Sequence, residues 1–402
     1  MQQNKTYNYF TLFSLYIAQS VPMAFFSTVM PVIMRQQHYT LTSIGLLQLV
    51  KLPWIIKFFW APLVDGSSKG TKDLKRWIFS SELLYAILIV AIGFFDLAVD
   101  FKLIIVFLIF AFTASATQDI ATDAFAIFIL KKEDRSIGNS MQSGGSFLGT
   151  VIGSGVLLVI YSLYGWKLLM FGLAGFVLLA LVPLVFHEKD IKKETVNSKR
   201  ISAKDLYLFF YQKGILKHVL LLFFFYSGVI GILTMLKPWM VDLGYTMTQI
   251  GVYSGIYGAS AGFVSALLAG FIIKKLGKFK AVRLFLFFGL LVAIYFVTIS
   301  FFPLTNYLVI PALLLTWSVY GLNSVSVYTI AMDSIRKGRE GTDFTIQIVL
   351  THLGSIMLAI LSGKIAHNFS YQGLFIIETV LATLVFIFFP VLYSFKIEKN
   401  VD

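Results

Sequence analysis

Twelve stretches of twenty or more mostly apolar residues follow one another along the chain, separated by short polar segments. Each is as long as the ~20-residue helix that crosses the hydrocarbon core of a membrane. Their predicted bounds are 9–34, 43–64, 77–97, 103–129, 139–163, 166–186, 217–236, 249–273, 281–302, 308–332, 344–366 and 371–394, numbered below as spans 1 to 12. With 58% hydrophobic and 13% charged residues, the chain predicts an all-α integral membrane protein without a separate soluble catalytic domain.

Basic residues are distributed unevenly between the two sides of these spans. If both termini lie on one side, that side carries 26 of the 33 Lys and Arg residues and the other carries five. Cytoplasmic loops are enriched in Lys and Arg, so both termini are predicted to be cytoplasmic. The formal net charge of +13 is therefore a topology signal, and nucleic acid is not a predicted partner. Span 1 has no small-residue cleavage site after it and is expected to be retained.

The chain contains an internal repeat. Residues 39–45 (YTLTSIG) recur as 245–251 (YTMTQIG), and the segment around Gln142 in span 5 recurs around Gln347 in span 11. The predicted domains are a six-helix bundle over 1–186, a solvated basic cytoplasmic linker over 187–216 and a second six-helix bundle over 217–402. Two such halves are typical of secondary transporters, in which one half rocks against the other.

Charged residues are predicted inside two of the spans. Lys57 in span 2 and Asp119 in span 4 lie at similar depths, and Asp123 shares a helical face with Asp119. An unpaired charge near the bilayer centre costs at least ~2.5–3.5 kcal/mol, so we expect these three residues to form a cluster. The cluster could be an ion pair that only locks two helices. Alternatively, protonation of Asp119 or Asp123 weakens its hold on Lys57 and couples proton entry to movement.

The repeat favours the coupling interpretation. Ser324 and Tyr328 occupy the positions of the second half that correspond to Asp119 and Asp123. A purely architectural ion pair would be expected in both halves, whereas a coupling site is needed only once.

Four motifs resemble a known family. Residues 16–22 (YIAQSVP), 52–65 (LPWIIKFFWAPLVD), 118–123 (QDIATD) and 344–347 (FTIQ) are similar to elements of one branch of the major facilitator superfamily. That branch contains AmpG-type muropeptide permeases, acetyl-CoA transporters and RhtX/FptX-type siderophore permeases. The resemblance implies twelve helices in two bundles and alternating access. It also implies proton-coupled import of a small organic solute across a bacterial inner membrane, by a monomer that needs no cofactor besides the proton gradient.

Departures from this branch leave the substrate open. Gly66 and Ala126 stand where its members commonly carry basic residues, and residues 138–145 (GNSMQSGG) are nearer to the siderophore-permease type. A siderophore-like and a muropeptide-like solute are therefore equal alternatives.

The resemblance also suggests roles for other polar residues. Asp65 lies in the superfamily's loop between spans 2 and 3, where we expect cytoplasmic cations to pair with it and exchange during transport. Arg135, after span 4, is a second gating candidate. In the superfamily, spans 1, 4, 7 and 10 line the central cavity. The candidate substrate-binding residues on these and neighbouring spans are Gln19, Gln48, Lys51, Gln118, Asn323, Tyr328 and His352.

Simpler interpretations of these polar residues are also open. The amides can bond between helices, Lys51 can extend its ammonium group to the membrane surface, and His352 can be a packing residue instead of a proton relay. Glu82 is expected to pair with a cytoplasmic Lys or Arg, and Glu378 has no assigned role.

Signatures of other function classes are absent from the sequence. It contains no GxxxxGK[ST] loop, no HExxH and no Cys, so it predicts neither an ATP-driven pump nor an enzyme, and no metal site. The alternative from a different class is a membrane receptor that keeps a transporter fold without turnover.

Overall fold

The computed structural model describes residues 5–36, 38, 47–97, 99–187, 190–192 and 201–393. These residues are almost entirely helical. In that part of the chain there is no β-strand, and an antiparallel bridge joins Gly70 and Lys192.

Seven helical stretches among the described residues are long and apolar enough to cross a membrane. They are Lys5–Val29, Phe101–Ile129, Lys132–Val185, Thr248–Leu276, Lys278–Ile299, Asn306–Asp333 and Glu340–Tyr393. The third and the last are 54 residues long, and each is divided into two crossings by a residue with positive φ, Gly165 or Ser370. Spans 2, 3 and 7 consist of shorter or more polar helices. Together with the five undivided stretches and the two divided ones, they account for the twelve predicted crossings.

Spans 2 and 7 are interrupted. Span 2 contains the helices Leu52–Ile56 and Ala61–Ser67, with 3₁₀ turns at Leu47–Lys51 and Lys57–Phe59. A proline stands in the first turn of each of its two helices, where the missing N–H costs nothing. Span 7 contains Ile215–Phe224 and Ile230–Asp242, and between them Gly228 has a φ of +87°.

The remaining elements complete the described chain. Span 3 is Thr71–Ile92, and span 5 begins with the helix Arg135–Val151. The shorter or joining elements are Met30–Gln36, Leu157–Leu179, Val182–Val185, Lys204–Phe210, Met247–Ile250 and Ala259–Leu276, with π-helical turns at Phe25–Val29, Ile152–Val156 and Gly251–Gly258.

The chain forms two compact units. Unit 1 comprises residues 1–132, 145–207 and 335–346, and unit 2 comprises 133–144, 208–334 and 347–402. Most of each unit comes from one half of the chain, but each also contains a segment of twelve residues from the other half. The predicted domain boundaries at 186 and 217 stay a prediction.

Unit 1 is packed tightly between spans 1 and 5. A Cβ added to Gly149 would lie 2.5 Å from the Ser20 Cβ, and one added to Gly153 would lie 2.4 Å from the Val21 carbonyl oxygen. Small residues at four-residue spacing let two helix backbones approach this closely. Phe26 and Phe112 meet edge to face in the same core, with ring centroids 6.0 Å apart.

Unit 2 has its own core and its own close approach. The rings of Trp239, Phe296 and Phe375 lie 4.9 to 5.6 Å apart. A Cβ added to Gly321 would lie 2.4 Å from the Gly262 carbonyl oxygen, so spans 8 and 10 are also in backbone contact.

The start of the predicted linker, His187 and residues 190–192, hydrogen-bonds to span 3 within unit 1, which differs from the solvated linker that we expected. The Thr71 amide donates to the Ile191 carbonyl at 2.9 Å, and the Ile191 amide donates to the Thr71 hydroxyl at 2.8 Å. Lys75 donates to the His187 carbonyl. Burial lowers the pKa of the Lys75 ammonium group, and the charge of Asp190 opposes this shift.

Candidate functional site

Lys57 and Asp119 form an ion pair inside unit 1. Lys57 Nζ donates to Asp119 Oδ2, and the two side chains are only 2% and 7% exposed. The ammonium nitrogen also lies 4.8 Å from the centroid of the Trp54 ring, whose face attracts a cation. This pairing of spans 2 and 4, predicted from the depths of the two residues, is confirmed.

The broken backbone of span 2 positions the lysine. Lys57 lies where the helix Leu52–Ile56 passes into a 3₁₀ turn. Three residues further on, Trp60 Nε1 donates to Thr117 Oγ1 at 3.1 Å, which joins span 2 to span 4 again one turn away from Lys57. Two side-chain contacts therefore hold this irregular segment against span 4.

Asp123 has a partner on span 1 that the sequence did not predict. The Tyr16 hydroxyl donates to Asp123 Oδ1 at 2.7 Å, and Asp123 is buried. The distance is typical of a hydrogen bond to a charged acceptor. Polar contacts therefore connect spans 1, 2 and 4 through two aspartates that lie four residues apart.

The ion pair is sensitive to protonation for electrostatic reasons. Removing two charges from water is costly, and in a buried pair the mutual attraction offsets that cost. If Asp119 takes up a proton, Lys57 keeps its charge but loses its counter-ion. Proton uptake at this one carboxylate would thus change the attraction between spans 2 and 4.

Asp65 lies at the end of span 2 and binds the start of another helix. Its two carboxylate oxygens accept hydrogen bonds from the backbone amides of Gly341, at 3.0 Å, and Thr342, at 2.6 Å. These amides belong to the first turn of Glu340–Tyr393, where the helix dipole favours an anion. Our sequence interpretation named cytoplasmic cations as partners of Asp65 and did not include these two amides.

Buried charges surround this helix start. Arg336 binds both carboxylate oxygens of Asp343, with its closest contact at 2.6 Å, and donates to the Asp205 carbonyl at 2.9 Å. Arg339 donates to the Asp205 carboxylate. Because Asp205 belongs to the predicted linker, that linker contributes an anion to the charge network of unit 1.

Arg135 makes its contacts in unit 2. Its Nη1 donates to the Met332 carbonyl at 2.7 Å and lies 3.4 Å from Asp333 Oδ1. Lys278 also pairs with Asp333, and Lys274 pairs with Asp134 at 2.9 Å. Arg135, the second gating candidate, therefore contacts the predicted cytoplasmic end of span 10.

Three of the candidate substrate-binding residues are buried amides. Gln19, Gln118 and Asn323 are no more than 3% exposed. Within the described part of the chain, the Gln19 side-chain NH₂ and all amide atoms of Gln118 and Asn323 have no hydrogen-bond partner. A buried amide without a partner costs free energy, so these groups are available to a ligand or to water.

The other candidates differ in their surroundings. Lys51 is partly exposed and His352 is exposed. Tyr328 is half-buried and lies near Tyr226, whose ring centroid is 5.3 Å from that of Tyr320. The side chain of Gln48 and the repeat segment 39–45 lie outside the described residues.

A family model for the Major Facilitator Superfamily matches residues 10–357 of the chain. The chain belongs to this superfamily. The matched region includes the Lys57–Asp119 pair and both gating candidates. The protein is therefore a multi-pass membrane transporter, and the predicted family and fold class are confirmed.

Relatives of the transporter include AmpG-type proteins. The chain is 22% identical to "Putative transporter AmpG 4" of Rickettsia conorii over 396 residues, which cover 94% of each protein. It is 23% identical to the anhydromuropeptide permease of Escherichia coli K12 over 279 residues, which cover 68% of this chain and 57% of the permease. A match to an uncharacterized Haemophilus influenzae protein, at 26% identity, spans 66% of this chain and 64% of that one.

Solved structures agree in fold. The Escherichia coli fucose:proton symporter FucP superposes with a TM-score of 0.72 at 16% identity, and the match covers 97% of this chain and 99% of that one. At this identity the likeness concerns the fold of the transporter alone.

Two polar contacts of unit 2 were missed from the sequence. His218 Nε2 lies 2.6 Å from Gln347 Oε1, so the glutamine of the FTIQ motif has a histidine partner. Glu378 accepts hydrogen bonds from the Gly228 amide at 3.0 Å and the Ser362 hydroxyl at 2.7 Å. Gly228 lies in the break of span 7, and no local sequence pattern links it to Glu378.

Proposed function

We propose that this transporter imports an anhydromuropeptide-type solute across the bacterial inner membrane together with protons, and that the Lys57–Asp119 pair couples the two movements. The observation that carries the proposal is the buried ion pair in unit 1, whose acid corresponds to the neutral Ser324 in unit 2.

The coupling step uses the charge of Asp119. In the deprotonated state, Asp119 holds Lys57 of span 2 against span 4. A proton that enters from outside neutralises Asp119 and leaves Lys57 without a counter-ion, which favours a conformation that brings the ammonium group to water or to an anionic solute. Release of the proton to the cytoplasm restores the pair.

Asp123 and Tyr16 extend the coupling site to span 1. The Tyr16 hydroxyl donates to Asp123 and so connects span 1 to span 4. We assign the exchanged proton to Asp119, because its charge holds Lys57, and we assign to Asp123 the role of fixing span 1 to span 4.

The relatives' names support the choice of solute. A muropeptide is a sugar-linked peptide, and its hydroxyl, amide and carboxylate groups need hydrogen-bond donors and acceptors. The unpartnered amides of Gln19, Gln118 and Asn323 offer both, and Tyr328 and His352 add further polar groups. Lys51 offers a cation for a carboxylate. The relatives reported above include AmpG-type proteins and an anhydromuropeptide permease, so we propose the muropeptide-type solute.

Asp65 and Arg135 are assigned to gating. Asp65 holds the start of Glu340–Tyr393 by two amide hydrogen bonds, and Arg135 holds the end of Asn306–Asp333. Both contacts lie at the predicted cytoplasmic ends of their helices, where alternating access requires contacts to break and reform.

The test is uptake of labelled anhydromuropeptide by the purified protein in proteoliposomes with an imposed pH gradient. We expect accumulation that a protonophore abolishes. Asp119→Asn should abolish accumulation, because it cannot release a proton and re-form the ion pair with Lys57. Asp123→Asn should also abolish it, because the variant loses the carboxylate that fixes span 1 to span 4. Asp73→Asn is the matched control, since Asp73 pairs with Arg76 at the protein surface and its variant should transport normally.

Three results would contradict the proposal. Unchanged accumulation in both Asp119→Asn and Asp123→Asn rules out the coupling role. Exchange of a labelled iron–siderophore in place of the muropeptide rules out the solute. Binding of the muropeptide without any exchange indicates a receptor with a transporter fold.

A further inference from the structure

Glu82 is a buried acid that the coupling mechanism does not use. It lies in span 3, Thr71–Ile92, and its exposed fraction is 0%. Neither carboxylate oxygen has a hydrogen-bond partner in the described part of the chain. No ion pair of Glu82 is found there either, so the cytoplasmic cation that we expected from the sequence is not its partner.

Other buried polar groups lie at the same depth. Tyr85 follows Glu82 by three residues on the same helical face, and its ring lies 6.2 Å from that of Phe112 in span 4. Its hydroxyl lies beside Ser115 of span 4. Spans 3 and 4 run in opposite directions, so Glu82 is level with the turn that follows Ser115, and this turn contains Gln118.

This region forms a polar cluster, defined as Glu82, Tyr85, Ser115, Gln118 and Thr122. All five side chains are fully buried, and each has at least one polar atom without a hydrogen-bond partner in the described residues. Ser115, Gln118 and Thr122 recur at helical spacing on one face of span 4. They extend from the level of Tyr85 toward the predicted cytoplasmic end of that helix, Ile129.

No neighbouring cation balances the acid. Three helices make the main packing contacts of span 3: Ala61–Ser67, Phe101–Ile129 and Leu157–Leu179. Their titratable and charged residues are Asp65, Lys102, Asp119, Asp123, Tyr161, Tyr164 and Lys167. Span 3 itself contributes Lys72, Asp73, Lys75, Arg76 and Tyr85.

The positions of the nearby cations explain why Glu82 is unpaired. Lys167 lies over the Phe94 ring at 5.0 Å, beyond the outer end of span 3. Lys102 belongs to the first turn of Phe101–Ile129, at the outer end of span 4. Lys75 is two helical turns away toward the cytoplasm and donates to the His187 carbonyl. An ionised carboxylate without a cation or hydrogen bond is strongly disfavoured in such a site, and a neutral acid is not.

We propose that Glu82 is a proton-binding site of the transport cycle, separate from the Lys57–Asp119 pair. Glu82 holds a proton in the described conformation and releases it toward the cytoplasm past Gln118 and Thr122. The role in transport rests on the proposed proton-coupled import. In the step, the O–H bond of the Glu82 carboxyl breaks, the proton passes to water that enters the polar cluster, and a carboxylate remains. The return step protonates that carboxylate before the cluster closes.

Infrared spectroscopy of the reconstituted protein tests the protonation directly. A protonated carboxyl group has a C=O stretch that an ionised carboxylate lacks. We expect the wild-type spectrum to contain such a band at the high-frequency end typical of a carboxyl group without hydrogen bonds, and Glu82→Gln to remove it. Glu378→Gln is the matched control, because Glu378 is equally buried but hydrogen-bonded at both oxygens. It should leave the high-frequency band in place.

Transport stoichiometry tests the role of the proton. Glu82→Gln should keep solute counterflow, which moves no net proton, and should lower the number of protons carried per solute by about one. Glu82→Met, which is similar in volume and apolar, supplies a second variant if Glu82→Gln fails to fold. Circular dichroism and size exclusion check the folding of both.

The outcomes separate this proposal from the proposed function. An unchanged protonated-carboxyl region in Glu82→Gln shows that Glu82 is ionised and overturns the proposal, whatever the transport result. Loss of the band with an unchanged proton-to-solute ratio shows a permanently neutral structural acid and also overturns it. Wild-type uptake that is independent of protons contradicts proton-coupled import, while the infrared result still reports whether Glu82 is protonated.

Discussion

The interiors of the two units treat ionisable groups differently. Unit 1 buries Lys57, Asp119, Asp123 and Glu82, and the last has no partner among the described residues. In unit 2, Ser324 occupies the position that corresponds to Asp119, and its hydroxyl lies 2.9 Å from the Ser143 hydroxyl. Of the buried acids of unit 2, Glu378 is hydrogen-bonded at both oxygens and Asp134 pairs with Lys274.

Buried polar groups therefore have two different roles in the two units. A neutral hydroxyl pair joins helices at little cost and has no charge for a proton to change, and an acid whose oxygens are both hydrogen-bonded has its polar atoms satisfied. A buried ion pair is costly to form and strongly changed by one proton. At the positions that the repeat relates, unit 1 thus has a buried ion pair that one proton would change, and unit 2 has a neutral hydroxyl pair.

The largest effect is expected when the ion pair of unit 1 is removed, either by one substitution or by two. Lys57→Met leaves Asp119 buried without a cation and should destabilise the protein by about 3–5 kcal/mol. The double variant Lys57→Met/Asp119→Leu leaves no uncompensated charge and should recover most of that stability. Neither should accumulate solute, because Lys57→Met removes the cation that Asp119 holds and the double variant also removes the proton site. Thermal unfolding in detergent and proteoliposome uptake measure the two effects.

The double variant distinguishes an ion pair that only locks two helices from one that couples proton entry to transport. Recovered stability together with full proton-driven uptake would show an ion pair that only locks spans 2 and 4. Recovered stability without uptake supports coupling.

The next prediction moves an acid into unit 2. Ser324 is 6% exposed, and Ser324→Asp would place a carboxylate where unit 2 has only a hydroxyl partner. An unpaired charge at this depth costs at least ~2.5 kcal/mol, so the midpoint of thermal unfolding should fall clearly. Ser324→Asn adds similar volume without charge and should cost less. Equal stability of the two variants would mean that unit 2 tolerates acids as unit 1 does.

These contacts also show how far the sequence alone could reach. The pairing of Lys57 with Asp119 followed from span depth and from the cost of an isolated charge. The partners of Asp65 did not, because a backbone amide at the start of a distant helix has no residue-specific signal. The same holds for Glu378, whose partner is the Gly228 amide in a break of span 7.

A second class of contacts depends on irregular backbone. Arg336 binds Asp343 across the turn between span 10 and span 11, a distance that helical spacing does not predict. The burial of Glu82 depends on the rotation of span 3 about its axis, and a half-turn of error in that rotation would place the acid on the opposite face of the helix. Hydropathy located the helix correctly but not its buried face.

A smaller effect is expected at the link between spans 1 and 4. Tyr16→Phe removes the hydrogen bond to Asp123 and should cost about 1.5–3 kcal/mol, because the acceptor is a buried carboxylate. Tyr7→Phe is a matched control on the same helix, since the Tyr7 hydroxyl donates to the neutral Pro183 carbonyl at 2.6 Å. Its cost should be about 0.5–1.5 kcal/mol. Equal losses in the two variants, measured by chemical unfolding, would indicate that Asp123 is neutral.

The smallest effect is expected at Glu378 of unit 2. Glu378→Gln keeps the shape of the side chain, and its amide oxygen can still accept a hydrogen bond from the Gly228 amide in the break of span 7. The Ser362 hydroxyl also donates to the Leu358 carbonyl at 2.8 Å, so it keeps a partner when the carboxylate is removed. The cost should therefore be about 1 kcal/mol or less.

Proton-driven accumulation in Glu378→Gln should keep its wild-type dependence on external pH, because this acid is assigned to helix joining and not to proton transfer. The measurement is uptake over a series of imposed pH gradients, with Glu82→Gln as the paired variant. If Glu378→Gln changes the proton-to-solute ratio as strongly as Glu82→Gln does, both units carry protons and the division between them is wrong.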